Sequence, residues 1–284
     1  MYDSSRVTRY DPHASRGISP FGFLTTALRH RRLIRRLAWR AVQSRYRGST
    51  LGMVWALAQP LLMLAVYTFV FSVVFRARWD LPGSDPAHFS IYLLSGLILF
   101  GLFGDCANQA PRLVRSNRSY VTQVPFPVEL LSWVSLIEAL VSAAFASAIL
   151  AAGYLLIIGP IPVTALFVPL VAIPIVLLAL GASWFLSSLG VFLEDISQVV
   201  TVATTALLFL SPIFYSPSSI PEAFRGVYFL NPLAHLLEMS KGCLFQGTSP
   251  DWVQLAGLFI GSFAFAWLGH LWFVRSKVGF ADVL

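Results

Sequence analysis

The residues best placed to do chemistry in this sequence are ionisable groups set in apolar runs. Asp105, Glu138 and His270 each lie near the end of a long apolar segment, and an ionisable side chain there is the default mark of an ion or proton path. None stands mid-segment with an evident basic partner, which disfavours ion-coupled transport. Snorkelling or a structural hydrogen bond suits Asp105 and Glu138 better. Glu194, Asp195 and Glu238 fall in or beside connecting segments. The five histidines (His13, His30, His88, His235 and His270) make no HxxxH pair, and Cys106 and Cys243 make no CxxC. Neither a metal site nor a disulfide framework is expected. Both lysines, in Ser240-Lys241-Gly242 and Ser276-Lys277-Val278, lie outside any Gly-Lys-Ser/Thr loop that cradles a nucleotide's phosphates. With GxSxG also missing, no catalytic residue, metal or cofactor is assigned to this chain.

Aromatic residues are the second resource: 23 Phe, 9 Tyr and 8 Trp. Tyr67, Phe71 and Phe75 recur every four residues and so share one helix face. Phe209, Phe214 and Tyr215 belong at a similar depth of another apolar segment. Such a face can stack on the apolar C–H surface of sugar rings, or serve as an aromatic belt or packing surface.

The elements that must position these groups follow from composition. Of 284 residues, 57% are hydrophobic and 12% charged, about half the charge of a soluble domain. That excludes an ordinary cytosolic enzyme, a secreted disulfide scaffold and a disordered chain, and predicts an all-α polytopic membrane protein. Spans need about 20 apolar residues. Six are predicted, at about 53–75, 89–107, 130–158, 163–190, 197–215 and 252–274. No charge occurs between Glu138 and Glu194, and Gly159-Pro160-Ile161-Pro162 divides that run in two. With the amino-terminus inside, sixteen of the 20 Lys and Arg fall on the cytoplasmic side, so both termini are predicted cytoplasmic. No cleavable signal peptide is expected, because the first apolar run starts beyond residue 50.

Residues 1–18 read as a mobile cytoplasmic tail and 19–50 as an amphipathic interface helix, with Ser19-Pro20 as a start signal. Its apolar stripe belongs in acyl chains and its arginines, Arg40 among them, at lipid phosphates rather than on nucleic acid. Residues 51–284 form the transmembrane domain. The basic segment 108–127 forms one or two short helices across the span ends, or a solvated loop. In 216–251, Leu233–Phe245 can dip into the membrane as a re-entrant half-helix after Asn231-Pro232, provided protein or an aqueous cavity covers it, or the segment is a simple surface-lying hairpin.

Arg45-Tyr46-Arg47-Gly48-Ser49-Thr50-Leu51-Gly52, running on through Trp55 to Pro60-Leu61, resembles the start of the first span in membrane subunits of type-2 ABC exporters of polysaccharides. These include O-antigen and teichoic-acid export permeases. The likeness continues in Pro125-Phe126-Pro127, Glu194-Asp195-Ile196, Ser211-Pro212-Ile213-Phe214-Tyr215, Asn231-Pro232-Leu233 and Gly279-Phe280-Ala281-Asp282. Glu194 departs from the pattern, many relatives having Arg there. The resemblance implies a homodimer in the cytoplasmic membrane, joined by two copies of a separate ATPase that holds ATP and Mg, exporting lipid-linked glycan. It further implies a channel lined by the first and fifth spans of both copies, with Tyr67, Phe71, Phe75, Phe209, Phe214 and Tyr215 against the polymer. Arg40, Arg45 and Arg47 would meet the lipid pyrophosphate, and Arg112, Arg115, Asn117, Arg118 and Tyr120 the ATPase. The competing readings are a type-2 ABC permease for a drug or lipid, an ion-coupled carrier, and a membrane enzyme of glycan assembly.

Overall fold

A computed structural model describes residues 19–46, 54–70, 86–122, 126–215, 222 and 225–284. The tail 1–18 lies outside them. The described residues are helical with short connections and contain no strand. Among the described residues, four helices are long and apolar enough to cross a membrane: His88–Leu113, Leu130–Ile157, Val163–Phe192 and Trp252–Gly279. These correspond to the second, third, fourth and sixth predicted spans. In the first predicted span the structure describes α3 (Trp55–Thr68), and in the fifth α8 (Ile196–Leu210), apolar but only 15 residues long.

The amphipathic stretch is two helices rather than one, α1 (Gly22–Arg29) and α2 (Arg31–Tyr46), broken at His30. Ser19 contributes its main-chain carbonyl, accepting from Gly22 N–H at 2.8 Å, rather than a side-chain cap. The stripe expected in acyl chains is partly taken up by protein instead: Ile34 and Ala38 pack on Leu130 and Val134 at the start of α6 (Leu130–Ile157), whereas Leu28 is exposed. α1 is seated by Phe23, whose ring lies 5.5 Å from Trp184 and 6.0 Å from His270. His270 is thus buried among aromatic rings at a packing position.

α4 (Pro86–Leu113), α6, α7 (Val168–Phe192) and α11 (Trp252–Ser276) build the core. Glycine permits the two closest approaches. A Cβ on Gly190 of α7 would stand 2.0 Å from the Pro111 carbonyl oxygen of α4. One on Gly269 of α11 would stand 2.4 Å from the Gly181 carbonyl oxygen of α7. Small residues let helix backbones meet where apolar surface alone gives no drive to associate. Trp184, fully buried, donates its indole N–H to the Glu129 carbonyl at 3.0 Å. The predicted break after α6 is present: Gly159 adopts φ +122°, which only glycine takes readily. α4 outruns its predicted end at 107 because its polar residues are partnered. Thr204 donates to Asn108 Oδ1 at 2.8 Å and Ser135 to Gln109 Oε1 at 3.2 Å.

Beyond α8 the chain breaks at Ser211-Pro212. It resumes with α9 (Arg225–Leu230), α10 (Pro232–Lys241) and a π-helical turn, Gly242–Gln246. Asn231 caps α10, its side-chain oxygen accepting from Leu233 N–H at 3.1 Å, with Pro232 at the first helical position. α10 packs between α4 and α7, burying Leu233, Leu236 and Leu237.

Candidate functional site

At the basic end of the bundle the amino-terminal helices, the segment after α4, the end of α7 and the last helix, α12 (Phe280–Val283), converge. The segment after α4 forms a short turn, Arg115–Asn117, and α5 (Ser119–Thr122). Arg115 organises it. One guanidinium nitrogen pairs with Glu194, and the other donates to the Val191 carbonyl at 2.9 Å. The hydrogen bond and positive charge of Arg115 hold the Glu194 carboxyl below its usual range. The planar fork of the guanidinium presents separate N–H donors to the two acceptors at once. The residue that departs from the family pattern is therefore an ion-pair partner.

Asn117 donates to the Leu113 carbonyl at 2.9 Å, holding the turn on the end of α4. Tyr120 stacks on Phe126, centroids 4.7 Å apart. Arg112 and Arg118 are exposed. Arg40, Asn117, Tyr120 and Glu138 all line one cavity of about 430 Å³ between α2, α5 and α6. The carboxyl end is pinned beside it by Lys277–Glu129 at 3.4 Å and by buried Phe280 against Phe192 and Phe273.

Deeper in, Arg45 at the end of α2 reaches Glu138 at 3.5 Å and Ser142 at 3.4 Å. Arg45, Asp105, Ser142 and the α3 residues Pro60 and Met63 line a cavity of about 200 Å³. Glu138, in the early turns of its helix, thus has the basic partner that its sequence neighbours do not reveal. Arg47 lies outside the described residues.

Of the six aromatic candidates, Phe209 and Phe214 are adjacent, centroids 5.4 Å apart. Phe209 is exposed, whereas Phe214 is buried and Tyr215 is half-buried against the core. Tyr67 sits in the last turn of α3. Phe71 and Phe75 lie outside the described residues.

The opposite end holds an arrangement that sequence reasoning missed. Lys241, counted there among outer-loop charges, is buried. Its ammonium donates to the Pro212 carbonyl at 2.6 Å and to that of Ile213 at 3.4 Å. It also lies 4.0 Å from the centre of the Tyr92 ring. It therefore ties the end of α10 to the break after α8. Asn231 adds a second tie, donating to Ser211 Oγ at 3.1 Å, and the Tyr228 hydroxyl donates to Glu238. Tyr154 and Thr164 donate to the Leu244 and Cys243 carbonyls at 2.8 and 2.6 Å, satisfying the π-helical turn. No sequence spacing announces these pairs. The signal in the sequence is a lysine in a short helix whose other ionisable residues are His235 and Glu238.

The sequence model of the ABC-2 type transporter family matches residues 32–245, from α2 to the π-helical turn. The O-antigen export system permease protein RfbA of Klebsiella pneumoniae is 26% identical over 243 residues, covering 84% of this chain and 90% of its own length. Its namesake from Myxococcus xanthus is 25% identical over 261 residues, covering 89% and 95%. The polysialic acid transport protein KpsM of Escherichia coli is 23% identical over 220 residues, covering 76% and 82%.

Proposed function

From the premise that this chain belongs to the ABC-2 type transporter family, we propose that it is the membrane-spanning permease subunit of an ATP-driven exporter of a polysaccharide or lipid-linked glycan. The observation that carries this reading is the family match from residue 32 to 245, together with relatives named for O-antigen export and polysialic acid transport. In this reading the chain has six spans in the cytoplasmic membrane, α3 and α8 serving as the described parts of the first and fifth, and both termini cytoplasmic. α10 is a re-entrant element on the outer side. Two copies of the chain work with two copies of an ATPase that carries ATP and Mg. The exposed apolar side chains of α3, Leu61, Leu62, Met63 and Val66, and of Phe69 just after it, support a face that meets the second copy.

The basic end receives the ATPase motion. Arg112 and Arg118 offer exposed charge, and Arg115, Asn117 and Tyr120 make the segment rigid enough to pass displacement to α4 and α7. Arg40, Arg45 and Arg47 guide the lipid pyrophosphate, since guanidinium pairs bidentately with phosphate oxygens. Tyr67, Phe71, Phe75, Phe209, Phe214 and Tyr215 hold the polymer by stacking. A sliding chain of repeats needs contacts that are numerous and individually weak. Teichoic acid, capsule and O-antigen all satisfy that requirement.

The experiment is purification from native membranes in mild detergent, followed by reconstitution with the ATPase that co-elutes. ATP-dependent movement of lipid-linked glycan is the expected result. A chain that elutes alone and transports without ATP refutes the reading, and drug or lipid movement in place of glycan selects the alternative substrate class. Unchanged export after Arg45 and Arg47 are each replaced by Gln removes the pyrophosphate role.

A further inference from the structure

Beside α2 runs a groove of about 580 Å³, within the ordinary range of ligand sites, about 300–1,000 Å³. Its walls are the flank of α1 and α2 and the side of α6 bearing Trp133, Ile137 and Val141. Arg31 and Arg35 lie along it one helical turn apart, followed by Trp39, which is 59% exposed. Among the described residues, no acidic side chain lines the groove. With Arg36 beside them and Trp133 opposite Trp39, an apolar slot with three guanidinium groups and two indoles is left with positive charge that its own described walls do not answer.

We propose that this groove is a binding site for one anionic phospholipid of the adjoining leaflet. An acyl chain lies in the slot and the phosphate rests on Arg31 and Arg35. The chemistry of both ends fits. Guanidinium groups bind phosphate oxygens through paired N–H donors, and tryptophan favours the boundary between headgroup and acyl chain. A second copy of this chain is a poor occupant, because it would bring further arginines to the same charge. Lipid-linked substrate is a poor occupant by position. On α6, Trp133, Ile137 and Val141 follow one another every four residues, whereas Ala139, Ala143 and Ala146, which line the Arg45 cavity with α3, lie on the opposite side. The groove thus opens away from the first span. The assignment rests on the interfacial placement of α1 and α2 and not on which glycan is moved.

Native mass spectrometry of the full-length protein in mild detergent tests the site. The probes are phosphatidylglycerol and phosphatidylcholine with the same acyl chains. Wild type is expected to retain one phosphatidylglycerol per protomer in preference to phosphatidylcholine. The variant R31Q/R35Q should lose about fivefold in phosphatidylglycerol affinity for each charge removed, and phosphatidylcholine, whose choline offsets its phosphate charge, should lose less. Ala27→Trp, which keeps the arginines and fills the slot from α1, should displace both lipids. R31Q/R35Q alters only exposed side chains, so it gives a reading even where Ala27→Trp fails to fold. Equal retention of the two lipids by wild type, or undiminished phosphatidylglycerol in R31Q/R35Q, overturns the site. So does a dimer without bound lipid that Ala27→Trp dissociates, because that makes the groove a protein interface. Glycan export by R31Q/R35Q, measured separately, reports on the permease function alone.

Discussion

Replacing Gly190 by alanine puts one methyl group where two helix backbones meet, and its cost follows from the geometry. The added Cβ would stand 2.0 Å from the Pro111 carbonyl oxygen, 2.6 Å from the carbonyl carbon and 2.7 Å from Cα. Ordinary contact begins at 3.4 Å, so α7 and α4 must part by well over an ångström at this crossing. The obstacle is backbone, and no rotamer change relieves it. Overpacking a tight site costs about 1–3 kcal/mol, and a main-chain obstruction belongs at the upper end. For a chain of this size about 3 kcal/mol corresponds to a fall of roughly 6–12 °C in the unfolding midpoint. The damage also reaches the neighbouring Val191, whose carbonyl accepts from Arg115, so glycan export should fall with stability. Intrinsic tryptophan fluorescence on heating reads the midpoint. Gly261→Ala, with nothing within 4 Å of its added Cβ, is the control and should leave the midpoint within a degree or two of wild type. A Gly190→Ala protein that melts with that control refutes the argument.

Lys241→Ala removes the donor that serves the Pro212 and Ile213 carbonyls. A buried polar group left unsatisfied costs about 1–3 kcal/mol, and maleimide labelling of buried Cys243 should accelerate as the end of α10 loosens. An unchanged labelling rate means that the lysine holds nothing. Trp184→Phe strips the Glu129 carbonyl of its indole donor and should destabilise by a similar 1–3 kcal/mol, read in the same thermal assay. Arg115 depresses the Glu194 carboxyl, so the pair's contribution is present above the unfolded carboxylate pKa and lost as pH falls through the lower folded value. Wild type should therefore exceed Glu194→Gln in midpoint at neutral pH and converge with it in acid. A gap that persists in acid assigns the effect to something other than this charge.

Long uncharged runs made the third, fourth and sixth helices legible, because apolar length is what a bilayer demands of a span. The Gly159-Pro160-Ile161-Pro162 break was legible for the same local reason: proline and positive-φ glycine act on their immediate neighbours. The second helix was read too short, since Asn108, Gln109 and Arg112 look like an exit from the membrane until Thr204 and Ser135 are seen to receive two of them. Arg115 and Glu194, 79 residues apart, and Arg45 and Glu138, 93 apart, are products of tertiary packing with no shared periodicity. Lys241 was misread because a charge count treats every lysine near a loop as solvated. This one is dehydrated by a helix that only the fold inserts between α4 and α7.

The order in which the ribosome delivers these helices bears on how the protein is assembled. Phe23, near the start of the described chain, packs against Trp184 and His270, and His270 lies on α11, the last long helix to be made. Gly181 of α7 waits for the same helix to cover it. The amino-terminal helix therefore cannot reach its final seat until synthesis has passed residue 270. A nascent chain stalled before that point exposes both an unseated Phe23 and a bare glycine face on α7. These are the features by which membrane quality control could tell an unfinished copy from a complete one.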